Sequence, residues 1–198
     1  MFSTIKYASF DDGSKIAKIT LRMPTKNRNP VRSTIWVADI VIEYGIKADG
    51  TTWGRYYALT DYGSAAYAWY HIGNKPFLCF LLECAEKDKE YFIKKLMPEE
   101  THVFDLDKSK ARAVERIQEL VEEEEISEEQ EDDFFERLEM VNDSSELYKW
   151  YEECINDPEG YESFVYGLSH RAEGYMKVVL PLLAEVLRKE LHGEDEKG

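Results

Sequence analysis

The residues in this sequence that could do metal chemistry are three carboxylates in segments with strand character. Asp39, Glu43 and Glu83 would lie close together if those strands were neighbours, and converging carboxylates bind divalent cations in many nucleases. Glu83 is followed by Cys84 and Ala85, so the lysine that such nuclease motifs place two residues further on is missing. We therefore predict no metal site.

Other arrangements that support catalysis are also incomplete. Cys79 and Cys84 are separated by four residues, and no second pair of cysteine or histidine residues completes a zinc site. The sequence has no His-Glu-x-x-His motif, no glycine-rich phosphate loop and no Gly-x-Ser-x-Gly motif, and Ser169–His170 is an isolated dipeptide. The histidines are far apart in the chain: His71, His102, His170 and His192. The sequence favours a protein that is not an enzyme, and it predicts no cofactor.

The composition indicates a folded protein of a reducing compartment. Hydrophobic residues are 43% and aromatic residues 13% of the chain, which is enough for a well-packed core. The three cysteines are too few and too scattered to form a disulfide framework. No apolar run reaches the roughly 18 residues of a membrane span, and no signal-peptide pattern is visible. We expect a soluble, cytoplasmic protein that does not bind membranes.

The net charge of −15 is distributed unevenly along the chain. Residues 1–100 contain 14 Lys/Arg and 12 Asp/Glu, whereas residues 101–198 contain 11 Lys/Arg and 28 Asp/Glu. Because contacts with phosphate need cations, the second half is not expected to bind nucleic acid directly. An acidic half of this kind indicates a surface that binds basic partners.

The acidity is densest between residues 117 and 136, which contain eleven Asp/Glu and no Lys or Arg. A straight helix of this length would extend about 30 Å, over which duplex DNA carries roughly 17 charges. Such a helix could imitate a DNA backbone and speed the encounter with a basic protein; the alternative is a solvated face that keeps the protein soluble. The predicted partner-binding carboxylates are Glu122, Glu123, Glu124, Glu125, Glu128, Glu129, Glu131, Asp132, Asp133 and Glu136.

The second concentrated feature is an aromatic segment between residues 53 and 71. Tyrosine and tryptophan combine a large contact area with a polar group, and together with arginine they dominate interaction hot spots. The alternative is a Tyr/Trp-rich core between sheet and helices. The residues predicted for an aromatic binding surface or ligand pocket are Trp53, Arg55, Tyr57, Trp69 and His71.

Four cations surround the loop Pro24–Pro30: Arg22, Lys26, Arg28 and Arg32. They could contact a phosphate backbone or an acidic partner. The alternative is that they are exposed side chains of an ordinary loop. A third interpretation pairs them with the acidic helices, in the same chain or in a second copy, so a homo-oligomer is included among the hypotheses.

Strand patterns dominate the first part of the chain. Alternating or β-branched segments joined by short turns predict an antiparallel meander of about four strands: Thr4–Phe10, Lys15–Met23, Thr34–Tyr44 and Thr52–Leu59. We further predict a short helix within Thr60–Tyr70, a strand at Phe77–Glu83, a helix at Glu86–Leu96 and a last strand at His102–Leu106.

Helical patterns dominate the second part. Capping residues are predicted at Asp107, at Ser127 in a capping box, and at one of residues 143–145, and the last helix is predicted to span Pro181–His192 and to end at Gly193. The segment Tyr175–Leu180 is compatible with helix or strand. The apolar stripes of these helices are expected to pack on the sheet: Val114/Ile117/Val121, Phe134/Leu138/Val141 and Leu182/Leu183/Val186.

These patterns predict an α+β fold, an N-terminal antiparallel sheet of four strands plus one or two later strands packed with an acidic helical half. We expect a single domain over residues 1–198, with a strand-rich part (1–106), an acidic helical part (107–193) and a tail (194–198).

The leading functional hypothesis is a non-enzymatic interaction protein. It would be an inhibitor or accessory factor that binds a basic, nucleic-acid-binding protein through its acidic helices, as a nucleic-acid mimic of phage or mobile-element type. An immunity-type regulator of a basic toxin or enzyme would use the same electrostatics. The third hypothesis is a small-ligand-binding protein or enzyme with an aromatic pocket around residues 53–71.

Overall fold

The computed structural model describes residues 3–24 and 34–193. Its first part is an antiparallel sheet whose five strands follow one another in chain order. The strands are β1 (Thr4–Ser9), β2 (Lys15–Pro24), β3 (Thr34–Ile46), β4 (Thr52–Thr60) and β5 (Gly63–Trp69). A meander followed by a mostly helical half confirms the predicted α+β class.

The rest of the described chain is mostly helical. The helices are α1 (Phe77–Lys87), α2 (Lys89–Leu96), α3 (Leu106–Glu122), α4 (Glu128–Glu139), α5 (Ser144–Trp150), α6 (His170–Gly174) and α7 (Leu180–His192). Two short strands, β6 (Val103–Phe104) and β7 (Tyr166–Gly167), pair with each other, so the last predicted strand is confirmed as a two-residue element.

One face of the sheet is apolar because its strands alternate as predicted. Along β2, Ala17, Ile19 and Leu21 are fully buried, whereas Lys18 is exposed. The antiparallel register places Ile19 opposite Ile40 of β3, which is also fully buried. This inner face carries the core, and the outer face carries the polar side chains.

The segment after β4 is the strand β5, so the prediction of a helix within Thr60–Tyr70 is wrong. Thr60 pairs with Gly63 across a tight turn, and Gly63 has a positive φ of 99° that suits glycine. Beyond the turn, Ala65 and Trp69 are buried at the spacing of a strand. Pairing with β4 overrides the helix preference of the alanines, which is only a weak local preference.

The apolar run Phe77–Glu83 is helical, so the prediction of a strand there is also wrong. A short continuous apolar run does not by itself distinguish a buried helix from a buried strand. The phenyl ring of Phe77 packs directly over Gly54 of β4, where a Cβ atom would lie within 2.4 Å of the ring. The buried residues of α1 recur at helical spacing: Phe77, Leu78, Leu81, Leu82, Cys84 and Ala85. This helix therefore covers the inner face of the sheet.

The helix predicted for Glu86–Leu96 is divided in two. α1 continues to Lys87, and Asp88 then caps α2 by accepting a hydrogen bond from the amide of Tyr91 at 3.3 Å. An aspartate in a non-helical backbone conformation both ends one helix and begins the next. The chain turns at this point, and α2 buries Phe92 on the same core.

Capping signals locate two helices of the second half as predicted. Ser127 and Gln130 form the capping box of α4, in which the Ser127 amide donates to Gln130 Oε1 at 3.0 Å. Asp143 caps α5 by accepting from the amide of Glu146 at 2.9 Å. Both caps are local, which explains why the sequence alone identifies them.

The helix α3 begins earlier than predicted. Asp105, not Asp107, is its N-cap, and it accepts a hydrogen bond from the amide of Lys108 at 3.1 Å. Asp105 has the extended backbone that an N-cap needs, whereas Asp107 already lies in the first turn. Aspartate is favourable at both positions, so composition does not choose between them.

Residues 170–192 are helical throughout, which settles the ambiguous segment Tyr175–Leu180. Tyr175–Val179 is a π-helical turn between α6 and α7, and the helix ends at Gly193 as predicted. The Tyr56 and Tyr175 hydroxyls lie 2.6 Å apart in the core. This hydrogen bond attaches the C-terminal helix to β4.

The described chain groups into two compact units. Unit 1 is Met1–Thr101 with Leu168–Gly198, and unit 2 is His102–Gly167. The core of unit 1 joins the inner face of the sheet to α1, α2 and α7, as predicted for Leu182, Leu183 and Val186. The expectation of a single domain remains a prediction.

Unit 2 has a core of its own. Ile117 of α3, Phe134 and Leu138 of α4, and Trp150 of α5 pack together, and within the described residues this cluster contains no residue of the five-stranded sheet. The prediction that the stripes of α3 and α4 pack on the sheet is therefore wrong. The two helices cover each other's apolar stripes instead.

Candidate functional site

The charge of the chain is separated by unit. Unit 2 contains 22 Asp/Glu and 6 Lys/Arg, whereas unit 1 contains 18 Asp/Glu and 19 Lys/Arg. Nearly all of the excess negative charge therefore belongs to the segment 102–167. This is a sharper separation than the one between the two halves of the sequence.

Within unit 2, α3 and α4 form an antiparallel helical hairpin. Lys110, near the start of α3, donates a hydrogen bond to the carbonyl oxygen of Glu139 at the end of α4, at 3.1 Å. The cations of α3 all lie in its first three turns: Lys108, Lys110, Arg112 and Arg116. The other end of the hairpin, where α3 ends and α4 begins, is consequently occupied by carboxylates.

The ten predicted carboxylates are called the acidic surface from here on. Nine of them are exposed, and Glu131 is half-buried. On α4, Glu128, Asp132 and Glu136 follow one another at helical spacing on the exposed side, opposite the buried Phe134. Exposure of these side chains agrees with a surface available to a partner.

Internal cations do little to neutralise the acidic surface. Arg116 lies 3.9 Å from a carboxylate oxygen of Glu123, but it is closer to Glu119, at 3.0 Å. The described residues contain no other ion pair to the ten carboxylates. Of the predicted basic patch, Arg22 is an exposed residue of β2, whereas Lys26, Arg28 and Arg32 lie outside the described residues.

Sequence reasoning missed one member of this exposed side. Glu139 lies three residues after Glu136 on α4 and is also exposed. Arg137 interrupts the acidic run in the sequence, and in the structure it pairs with Glu153 of the neighbouring segment. Helical spacing, applied beyond the end of the run, is the signal that finds it.

The turn between the two helices has a strained backbone. Glu124 adopts a left-handed conformation with φ of 57°. Its amide donates to the carbonyl of Val121 at 3.1 Å, and the amide of Glu125 donates to the carbonyl of Leu120 at 2.9 Å. These two bonds define a Schellman motif, in which the left-handed position is usually glycine. A glutamate there, beside the negative end of the helix dipole, is unfavourable for stability.

We expect the substitution Glu124→Gly to raise the free energy of unfolding by about 1 kcal/mol, because it removes the left-handed strain and an unfavourable charge. The matched control is Glu128→Gly. Like Glu124→Gly, it increases the conformational entropy of the unfolded chain, but it removes a favourable carboxylate from the first turn of α4. Urea denaturation of both variants is the measurement. Equal destabilisation by the two substitutions would contradict the strain at Glu124.

Three of the five predicted aromatic-surface residues share the outer face of the sheet. Trp53, Arg55 and Tyr57 alternate along β4. The Arg55 guanidinium lies 5.5 Å from the centroid of the Trp53 ring and 3.1 Å from a carboxylate oxygen of Glu43. Tyr57 is exposed and, with Lys18 among others, lines a shallow depression of about 540 Å³.

The other two residues lie elsewhere. Trp69 is buried on the inner face of the sheet, where its Nε1 donates to the hydroxyl of Tyr91 at 3.1 Å. His71 is exposed in the turn after β5, with its Nε2 lying 3.3 Å from Nζ of Lys47. The five residues thus do not form one continuous surface.

The three candidate metal ligands are separated by the sheet. Asp39 on β3 accepts a hydrogen bond from the hydroxyl of Thr20 at 2.6 Å, and Glu43 is engaged by Arg55. Glu83 lies on α1, which covers the opposite face, and it pairs with Lys75. Within the described residues, no group of three or more His, Cys, Asp or Glu side chains is placed to hold a metal ion.

In the part of the chain that the structure describes, no helix has the length and apolarity needed to cross a membrane.

Comparison with known proteins identifies the family. No curated protein and no solved structure matches the chain. Residues 28–189 match the model of Phage_phiTE_072, which is a phage family. Because this match covers more than half of the sequence, the chain belongs to that phage family.

Proposed function

We propose that this chain is a phage accessory protein that acts by binding and not by catalysis, and that its acidic surface binds a basic protein. The observation that carries the proposal is the exposure of nine of the ten carboxylates, with Arg116 as their one ion-pair partner among the described residues. Charges left open in this way are available to cations of another molecule.

Two features argue that the charge density is more than an aid to solubility. Like charges so close together repel one another and oppose compaction. Four consecutive glutamates, 122–125, also lie at the C-terminal end of α3, where the helix dipole disfavours negative charge and the last turn contains no basic residue. Carboxylates spread over the rest of the surface would give solubility without these costs.

The shape of the acidic surface favours a compact basic site as its target. The acidic run bends between α3 and α4, so it is a hairpin and not the straight helix of about 30 Å that would follow a DNA backbone. Proteins that bind nucleic acids present clustered lysine and arginine side chains, so they are the partner class that matches this surface. Inhibition of such a protein, or its escort, is the activity that we propose.

The test is capture of partners from a nuclease-treated bacterial lysate on the immobilised chain. At about 50 mM salt we expect basic proteins to be retained, and at about 500 mM salt we expect them to be lost, because screening shortens the reach of exposed charges to a few ångströms. Capture that is equal at both salt concentrations, or that contains no basic protein, would overturn the proposal. Nuclease treatment removes partners that are bridged only by nucleic acid.

A further inference from the structure

Unit 1 contains a cavity at one end of its sheet, remote in sequence from the acidic surface. Its volume is about 370 Å³, which lies within the range of small-molecule sites, roughly 300–1,000 Å³. The start of β2, the end of β3, the start of β4 and the loop before α1 surround it. The residues used below are Lys15, Tyr44, Ile46, Thr52, Asn74 and Phe77.

The helix α1 begins at the wall of this cavity with unsatisfied amides. Pro76 is its N-cap and offers no side-chain hydrogen bond, and the first turn contains no acidic residue. The first amide with a carbonyl partner is that of Phe80, which donates to Pro76 at 3.0 Å. Within the described residues the amides of residues 77–79 have no acceptor. Free amides and the positive end of the helix dipole together favour an anion.

A second polar group without a protein partner lies at the same cavity. Thr52 is 4% exposed, and strand alternation places its side chain on the inner face with Gly54 and Tyr56. Its hydroxyl has no hydrogen-bond partner among the described residues, and Thr52 lines the cavity. This hydroxyl is therefore available to donate a hydrogen bond to, or accept one from, a polar atom of a ligand.

Lys15 supplies the charge. It is exposed at the start of β2, lies opposite Tyr44 in the register, and is the one charged side chain among the described residues that line the cavity. No carboxylate of the described residues pairs with its ammonium group. The phenol of Tyr44 is protonated at neutral pH and can donate a hydrogen bond, and burial together with the nearby Glu190 raises its pKa further.

The remaining walls are apolar and flat. The rings of Tyr44 and Phe77 are stacked, with their centroids 6.2 Å apart, and Ile46 and Pro76 complete this side. A planar or apolar group can lie against these side chains while a charged group reaches the amides of α1.

We propose that this cavity binds a small organic anion, with a phosphate or carboxylate group held by the first amides of α1, Lys15 and Thr52 and a planar body resting on Tyr44 and Ile46. Asn74 offers an amide at the rim that can fix the orientation of the body. Binding here is independent of the acidic surface, so either proposal can fail without the other.

The experiment is a titration of ¹⁵N-labelled protein with phenyl phosphate, with benzoate and phenol as parallel arms. We expect saturable shifts of the amides of residues 77–79 and of Lys15, with a dissociation constant of about 1 mM for a ligand of this size. Phenol, which lacks the anion, should bind at least about tenfold more weakly. The tighter of the two anions identifies the preferred head group.

Variants distinguish the site from general attraction of anions to lysine. Lys15→Met should weaken phenyl phosphate binding about tenfold and the isosteric Thr52→Val about fivefold. Lys94→Met, which removes an exposed lysine of α2, should leave binding unchanged. The proposal is overturned if the amides of residues 77–79 in the unmodified protein do not shift up to about 20 mM ligand, a concentration well above the expected dissociation constant. It is also overturned if Lys15→Met and Lys94→Met bind equally well.

Discussion

Association with a basic partner is expected to slow by about 10- to 100-fold when Glu124, Glu128 and Asp132 are all replaced by lysine. All three side chains are exposed, and they span the end of the helical hairpin from the turn to the second turn of α4. Exposed charges at the rim of an interface act chiefly on the rate of encounter, so the change should be larger in the association rate than in the dissociation rate. Surface plasmon resonance with a captured partner at low salt measures both rates.

A control variant separates the position of the charges from the net charge. Asp11, Asp61 and Glu90 are exposed residues of unit 1, and their replacement by lysine changes the net charge by the same amount. We expect the control to slow association far less than the first variant. Unchanged affinity of the Glu124/Glu128/Asp132 variant for every captured partner would remove the acidic surface from the proposed function.

The substitution Trp150→Ala is expected to lower the stability of unit 2 by about 3–5 kcal/mol. Trp150 is 3% exposed, its ring lies 6.4 Å from that of Phe134 and 5.0 Å from that of Tyr151, and its Nε1 donates to the carbonyl of Phe134 at 3.1 Å. Removing the indole leaves a cavity and removes a hydrogen bond from the core that supports both helices of the hairpin. Loss of partner binding should follow.

Hydrogen exchange followed by mass spectrometry shows where the loss of stability occurs. Because unit 2 has its own core, we expect residues 102–167 to lose protection while the strands of unit 1 keep theirs. Tyr161→Ala is the matched control, since this side chain of unit 2 is 52% exposed and should matter by less than about 0.5 kcal/mol. Equal loss of protection in both units would show that the two cores unfold as one.

Features determined by neighbouring residues could be predicted from the sequence. The alternation of β2 places Ala17, Ile19 and Leu21 on one face, and the capping box at Ser127 depends on residues only three positions apart. The segment Phe77–Glu83 could not be assigned in this way, because a run that is apolar on every side fits a buried strand and a buried helix equally well. Only its packing over the sheet decides between them.

The candidate site was predictable in part for the same reason. A dense acidic run cannot be buried, so the exposure of its carboxylates follows from composition. The approach of Arg116 to Glu123, in contrast, depends on where α3 ends. Trp69 and Trp53 belong to one aromatic segment of the sequence, but the pairing of Trp69 with Gly54 in the sheet places Trp69 on the opposite face from Trp53. The cavity beside Lys15 joins segments that are distant in sequence, and no local pattern indicates it.

The insertion of unit 2 within unit 1 has a consequence for protein synthesis. The chain makes the five strands first, then all of unit 2, and only afterwards the helix α7 that completes the core over the sheet. On the ribosome, unit 2 can therefore fold as soon as it emerges, whereas the core of unit 1 stays incomplete until α7 has been made. If synthesis stopped between unit 2 and α7, the sheet would be covered only by α1 and α2, although the acidic hairpin would already be formed.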